Sequence, residues 1–212
     1  MSAAMWIASA GLRLAAALCR HRPPADLNAS ARRLALAAAV GGAAVALTAC
    51  HSGMTARTLP PLELAPAVDI PRFMGDWYVI ANIPTFIEKG AHAAKESYWL
   101  DADGTIATTF SFRADSFDGA AREYRSRGYV LGGNGAIWGQ QYVWPIKADY
   151  RISYVADDYG ATVVTREKRD HVWIMARRPK LDEAELQRLL DIVARQGYDM
   201  SQVQRVPQPP PG

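Results

Sequence analysis

The stretch Gly75-Asp76-Trp77-Tyr78-Val79-Ile80-Ala81 carries the strongest indication of a fold in this chain. A glycine lets the backbone turn tightly before a strand, and Tyr, Val and Ile are enriched in strands. Because side chains alternate across a strand, Trp77 shares one face with Val79 and Ala81. The stretch therefore predicts a first β-strand whose inner face carries these three residues.

Seven further segments rich in Val, Ile, Thr, Tyr and Trp follow, with turn sequences about every 8–12 residues. Clusters such as 101–104, 132–135 and 157–160 are typical of hairpin turns. Eight strands joined by hairpins predict an antiparallel barrel or sandwich. The expected strands cover about residues 76–83, 95–100, 105–113, 122–131, 136–143, 149–156, 161–168 and 171–177.

One helix is predicted after the last strand. Asp182 can cap its N-terminus, and Glu185 completes a capping box. Leucines and a valine then recur with helical spacing, and Gly197 is a natural stop. The apolar positions are Leu186, Leu189, Leu190 and Val193. Since segment 172–176 is apolar on both faces, we expect this helix to pack outside the barrel.

The N-terminal region has the pattern of a secretory signal. Arg32 and Arg33 precede the apolar run Leu34–Leu47, which ends in Leu47-Thr48-Ala49-Cys50. That ending is similar to the lipobox of bacterial lipoproteins, which implies acylation of Cys50 by a diacylglyceryl group and cleavage before it. The alternative is a transmembrane helix ending in an incidental cysteine, but about 14 residues are fewer than the roughly 20 a bilayer requires.

The leader is longer than the 15–30 residues of an ordinary signal peptide. Residues 1–18 are themselves apolar. We therefore expect translation to start nearer Arg32, with the first thirty residues a gene-model extension. Cys19 does not form a second lipobox, because the bulky Leu18 stands where a small residue is needed.

Cleavage before Cys50 changes the charge of the chain. The leader carries a net charge of +4, and the remainder carries 19 basic and 20 acidic residues. A nearly neutral chain lacks the basic surface of nucleic-acid-binding proteins. The remaining cysteine is the acylated one, so we expect no internal disulfide. The predicted order is leader 1–49, lipidated cysteine and tether 50–71, barrel domain 72–206, and a loose Pro-rich tail 207–212.

Three blocks of the chain together resemble the lipocalin family in order and spacing. They are 75–81, the hairpin 157–159 and the strand end 173–177. The resemblance covers about residues 72–206, and 87–90 is similar to the lid loop of bacterial lipocalins and apolipoprotein D. It implies an all-β fold: an eight-stranded antiparallel up-and-down barrel with one C-terminal helix outside. The signature residues are Gly75, Trp77, Asp158, Tyr159 and Arg177.

In the family, the counterpart of Trp77 plugs the closed end, and the counterpart of Arg177 lies across the indole. We therefore expect both residues to stabilise the fold rather than to bind ligand. Strand alternation predicts an apolar and aromatic pocket in the open half, with a few polar groups. The candidate ligand-binding residues are Val79, Ala81, Trp138, Gln140, Tyr142, Tyr150, Trp173 and Met175. The alternative for each of them is that it only fills the core.

The lipobox and the resemblance together imply an outer-membrane lipoprotein lipocalin. Such a protein binds fatty acids, phospholipids or lysophospholipids for envelope maintenance. His51 directly after Cys50 favours the outer membrane, with the domain facing the periplasm. A homodimer is left open.

Two other function classes remain as alternatives. A calyx enzyme acting on a lipid-like substrate would need acid/base groups inside the barrel, and the predicted inner faces carry only tyrosines and Gln140. A structural lipoprotein would have a filled barrel. We expect no enzyme activity and no cofactor. We also expect no metal site, because the four histidines are scattered. They are His21, His51, His92 and His171.

Overall fold

The computed structural model describes residues 59–210, so the predicted leader, Cys50 and most of the tether lie outside it. The helices within this range are α1 (Ile70–Phe73) and α2 (Glu183–Arg195), and neither is long and apolar enough to cross a bilayer. A 3₁₀ turn follows at Met200–Gln202. The strands are β1 (Gly75–Ile83), β2 (Ala91–Leu100), β3 (Ile106–Ala114), β4 (Ala121–Val130), β5 (Ile137–Val143), β6 (Ile146–Val155), β7 (Ala161–Thr165), β8 (Val172–Ala176) and β9 (Gln204–Arg205).

The first eight strands form a closed antiparallel barrel, which confirms the predicted fold. Each strand pairs with the next, and β1 pairs with both β2 and β8. The short β9 pairs with the C-terminal part of β1, on the edge opposite β8. Because every connection is a hairpin, the β1–β2, β3–β4, β5–β6 and β7–β8 loops lie at one end, the open end. Helix α1 and the other three hairpins lie at the opposite, closed end.

Buried apolar residues form two clusters separated by the wall of the barrel. The interior cluster contains large aromatic residues, among them Phe73, Trp77 and Trp138. The outer cluster joins β1, β7 and β8 to the buried face of α2. All five residues of β8 are buried, since this strand faces the interior on one side and α2 on the other. The predicted position of the helix outside the barrel is therefore confirmed.

The N-terminal segment is packed where the sequence predicted a tether through residue 71. The Ala65 N–H donates to Ile152 O at 3.0 Å, and the Val68 N–H donates to Asn134 O at 2.8 Å. Ala65 and Val68 are both buried. These backbone bonds tie the segment to the barrel, so residues 65–71 belong to the folded domain.

The expected loose tail is also anchored at its start. Pro207 O accepts a hydrogen bond from the Ala93 N–H at 2.8 Å. The side-chain amide of Gln208 donates to Val79 O and to Ala94 O, each at 2.9 Å. The polyproline composition suggested an unattached tail, but the glutamine side chain supplies hydrogen bonds to β1 and β2.

Candidate ligand-binding site

The closed end of the barrel is sealed by aromatic rings. Trp77 is fully buried, and its Nε1–H donates to Phe73 O at 2.8 Å. The Phe73 ring lies 4.9 Å from that of Trp77 and 5.4 Å from that of Trp138. Tyr98 completes the group, with its ring 5.8 Å from that of Trp138. These buried, packed rings form the floor of the barrel.

Arg177 covers the floor from outside. Its guanidinium carbon lies 3.8 Å from the centroid of the Trp77 ring, a cation–π contact. Its Nη2 donates to the carbonyls of Arg72, Phe73 and Met74 at 2.8–3.1 Å. Those carbonyls end α1 and lack helical partners. Arg177 therefore fastens α1 to the barrel.

Asp158 and Tyr159 also belong to the closed end. Tyr159 has a φ of 60°, and its hydroxyl accepts a hydrogen bond from the Asp69 N–H at 2.8 Å. The Arg72 guanidinium lies 4.1 Å from the Tyr159 ring. Asp158 accepts from the Gly160 N–H at 2.8 Å and so shapes the hairpin. In this structure these signature residues hold the segment that precedes β1, at the closed end of the barrel.

A cavity of about 400 Å³ occupies the open half of the barrel. Aromatic side chains make up much of its wall, joined by a few polar groups. Four of the eight candidate ligand-binding residues line it: Gln140, Tyr142, Tyr150 and Trp173. The other lining residues are Thr85, Phe86, Ile87, Glu88, Tyr124, Ala148, Asp149 and Arg166.

Three other candidates lie inside the barrel but not on the cavity wall. Val79, Trp138 and Met175 are fully buried in the interior cluster. Val79 and Met175 are paired across β1 and β8, and Trp138 donates from Nε1 to Gly135 O at 2.7 Å. Trp138 belongs to the floor, and Val79 and Met175 lie in the same interior cluster.

The inward orientation expected for Ala81 is wrong. The register between β1 and β8 shifts between Val79 and Ala81, which marks a β-bulge. An extra residue reverses the alternation, so Ala81 joins the outer cluster. Asn82 is directed inward in its place, and its side-chain amide donates to Glu88 at 3.2 Å.

The prediction of an interior without carboxyl groups is also wrong, and Glu88 is the first exception. It projects from the β1–β2 loop into the cavity and is only 5% exposed. Its oxygens accept hydrogen bonds from the Thr85 N–H at 3.1 Å and from Trp173 Nε1 at 3.2 Å. Burial raises the pKa of the Glu88 carboxyl, and these hydrogen bonds partly oppose the rise.

Glu96 is the second buried carboxyl group. It lies opposite Trp77 on β2 and accepts a hydrogen bond from the hydroxyl of Tyr98. The Tyr98 hydroxyl is also 2.7 Å from that of Tyr150, a residue on the cavity wall. Burial, reinforced by the nearby charge of Glu88, raises the pKa of Glu96 to about 8. A chain of hydroxyl groups therefore connects the cavity with a carboxyl group that is protonated at neutral pH.

The inward orientation of one of the two carboxyl groups could have been predicted from the sequence, and that of the other could not. Glu96 precedes Tyr98 by two positions on a strand, so alternation places both on one face. That strand was predicted, and applying the alternation to it would have found Glu96. Glu88 follows β1 in a loop without periodicity, and no local pattern indicates that its side chain turns inward.

The rim of the open end is apolar and exposed. Phe86 of the β1–β2 loop is 86% exposed, and Trp144 of the β5–β6 hairpin is 82% exposed. Val143 and Ile146 flank Trp144 and are also exposed. Among residues 59–210, no group of three or more His, Cys, Asp and Glu side chains is arranged to hold a metal ion.

A closed eight-stranded barrel with a plugged floor, an open cavity and an external helix defines a calyx-type binding protein. The chain belongs to the lipocalin family, since the model of the lipocalin-like domain matches residues 68–208.

Among relatives, the outer membrane lipoprotein Blc of Escherichia coli K12 is 26% identical over 179 residues, covering 84% of this chain and 98% of Blc. Temperature-induced lipocalin-1 of Arabidopsis thaliana is 25% identical over 154 residues, covering 69% of this chain and 83% of that protein.

Solved structures show the same fold at lower identity. Insecticyanin from the tobacco hornworm Manduca sexta has a TM-score of 0.54 and 14% identity, covering 70% of this chain and 85% of its own. The cockroach allergen Per a 4 has a TM-score of 0.52 and 18% identity, covering 71% and 95%.

Proposed function

We propose that this lipocalin binds a lipid in the cavity of the open half. The proposed ligand is either a single-chain lipid, namely a fatty acid or lysophospholipid, or a phospholipid. The observation that carries this proposal is a cavity of about 400 Å³ with five aromatic residues in its wall and an exposed apolar rim. Pockets of this size and composition suit apolar ligands with one polar end. Binding without turnover is the proposed activity, in a role of lipid storage or transport for envelope maintenance.

We further propose that the protein is an outer-membrane lipoprotein, acylated at Cys50 and facing the periplasm. The support is the Leu47-Thr48-Ala49-Cys50 sequence and the relatives whose names contain outer membrane lipoprotein. Replacing Cys50 by serine should remove the acyl group, which intact mass would show, and release the protein from the membrane fraction. A mature N-terminus upstream of Cys50 would contradict this assignment.

A titration tests the ligand proposal. Trp173 lines the cavity, so its fluorescence should change saturably when fatty acids or lysophospholipids are added to the purified protein. Gel filtration of the same samples determines whether a homodimer forms. A signal that does not saturate with any lipid would remove the binding proposal.

The alternative of a calyx enzyme gains one supporting observation from the interior acids. Glu96, Tyr98 and Tyr150 form a hydrogen-bonded series that reaches the cavity, and such a series could move a proton. Mass spectrometry of the lipids recovered from the titration distinguishes the two functions. Unchanged lipids support binding, and a chemically altered lipid would replace binding by catalysis.

A further inference from the structure

The charged residues on the cavity wall differ in their partners. Asp149 forms a salt bridge with Arg151 at 2.8 Å and accepts from the Glu167 N–H at 2.7 Å. Arg166 pairs with Asp170 at 3.4 Å. Glu88 is 95% buried, and within residues 59–210 no salt bridge reaches it. Its hydrogen-bond donors are all neutral groups, so Glu88 is the acid on the cavity wall that no described salt bridge pairs, and His171 is the basic residue whose charge acts on it.

Aromatic rings surround the same space. Five aromatic side chains line the cavity, and the rings of Tyr150 and Trp173 are stacked 6.5 Å apart. The negative face of an aromatic ring attracts a cation, most strongly where water is excluded. The five residues are Phe86, Tyr124, Tyr142, Tyr150 and Trp173.

A third observation is independent of the acids. Gln140 lines the cavity and is only 3% exposed, yet its Oε1 has no hydrogen-bond partner in the described part of the chain. Its Nε2 is occupied by Ser126 at 2.8 Å. A buried acceptor of this kind is rarely left without a donor. The wall therefore offers a free acceptor beside the aromatic rings, and Arg166 Nε and Thr85 Oγ1 on the same wall also lack a hydrogen-bond partner among the described residues.

We propose that the cavity selects amphiphiles whose polar end is an organic ammonium group, held by the Glu88 carboxylate and the surrounding aromatic rings. This inference rests on the proposed function, because it specifies the polar end of the lipid bound at that site. A ligand with a free carboxylate would instead bring a second negative charge beside Glu88. Preference among polar ends of equal chain length is therefore the property that distinguishes this site.

The test compares three probes with the same dodecyl chain: dodecyltrimethylammonium, dodecanol and dodecanoate. Each is titrated into the purified protein by calorimetry at neutral pH, below the concentration at which it forms micelles. The ammonium probe should bind about tenfold more tightly than dodecanoate, with dodecanol between them. Equal affinities, or tightest binding of dodecanoate, would overturn the inference and leave lipid binding intact. Failure of all three probes to bind would overturn the proposed function as well.

Variants test whether the preference for the ammonium probe depends on the Glu88 carboxylate. Glu88→Gln keeps the shape of the side chain and removes its charge, so it should lower affinity for the ammonium probe about tenfold and leave dodecanol unchanged. Asp118→Asn is the matched control, because Asp118 is an exposed acid in the β3–β4 loop at the same end. It should leave all three affinities unchanged. An equal loss in both variants would show a general charge effect and contradict the site.

A second variant protects the test if Glu88→Gln folds poorly. Tyr142 is half exposed at the cavity mouth, so Tyr142→Leu should fold while it removes one aromatic face. It should weaken binding of the ammonium probe severalfold and change dodecanol binding little. Retention of the full ammonium preference in this variant would show that the rings contribute nothing.

Discussion

The guanidinium of Arg177 lies over the indole of Trp77 at 3.8 Å and hydrogen-bonds the carbonyls that end α1. One side chain thus joins the floor of the barrel, the end of β8 and the chain segment that enters the domain. The relationship explains why an arginine, with several donors in one plane, is required there.

Loss of either partner should therefore destabilise the protein. We expect Trp77→Ala to cost about 3–5 kcal/mol, because it leaves a cavity in the floor. Arg177→Lys should cost about 1–3 kcal/mol, because a lysine cannot satisfy the same carbonyls. Urea denaturation measures both. Arg178→Lys, at the exposed neighbouring position, should change stability by less than about 0.5 kcal/mol. An unchanged melting temperature in Trp77→Ala would refute the role of the floor.

Gly75 should not tolerate a side chain. Its φ is 94°, and a Cβ built there would lie 3.3 Å from Nη1 of Arg177. We expect Gly75→Ala to lower the free energy of unfolding by about 1–3 kcal/mol. Gly104→Ala has a similar φ of 80° without a neighbour, so it isolates the backbone cost. If both variants lose the same stability, the contact with Arg177 is not part of the effect.

The protonated state of Glu96 should make stability depend on pH. Its pKa is about 8 in the folded protein, against an ordinary value of 4.5 for the unfolded chain. Between these pH values the folded state binds a proton that the unfolded chain has lost. The contribution of Glu96 to the free energy of unfolding is therefore fully present below about pH 4.5 and decreases as the pH rises towards 8. The slope contributed is at most about 1.4 kcal/mol per pH unit. Chemical denaturation from pH 5 to 9 checks this, and Glu96→Gln should flatten the profile. A wild-type stability that rises over this range would exclude a protonated Glu96.

The two tyrosines of the hydroxyl series should differ in their contribution. Tyr98→Phe removes the hydroxyl that donates to Glu96 and leaves a buried carboxyl group without that donor. We expect it to cost about 1–3 kcal/mol. Tyr150→Phe removes the outer hydroxyl and should cost about 1 kcal/mol. Thermal melts of both variants at pH 6 give the comparison. The reverse order of stability would contradict the direction of the series.

Sequence periodicity predicted the barrel well because its strands alternate regularly for most of their length. The segments expected at 105–113 and 122–131 correspond to β3 and β4 within one residue at each end. The floor was predicted from signature residues, because the family counterparts of Trp77 and Arg177 contact each other at the closed end. The external helix followed from its capping residues and from an apolar β8.

The cavity was predicted less well, for three physical reasons. A bulge in β1 reverses alternation after Val79, so Ala81 and Asn82 exchange faces. Glu88 enters the interior from a loop, where no period applies. Trp138 and Met175 do point inward, but depth along the barrel axis decides whether an inward residue meets the floor or the cavity. The position of a residue along the barrel axis depends on the stagger between strands, which cannot be read from the sequence of one strand alone.

The route of the N-terminal segment determines where a membrane anchor would act. Pro60 O accepts a hydrogen bond from Arg169 in the β7–β8 loop, so the chain meets the barrel at its open end before it runs to α1. Nine peptide units separate Cys50 from Leu59, a reach of roughly 30 Å when fully extended. In a protein acylated at Cys50, the mouth of the cavity would therefore stay close to the bilayer. Membrane lipid would be presented to it at an effective concentration on the order of millimolar, so even a modest intrinsic affinity would keep the cavity filled.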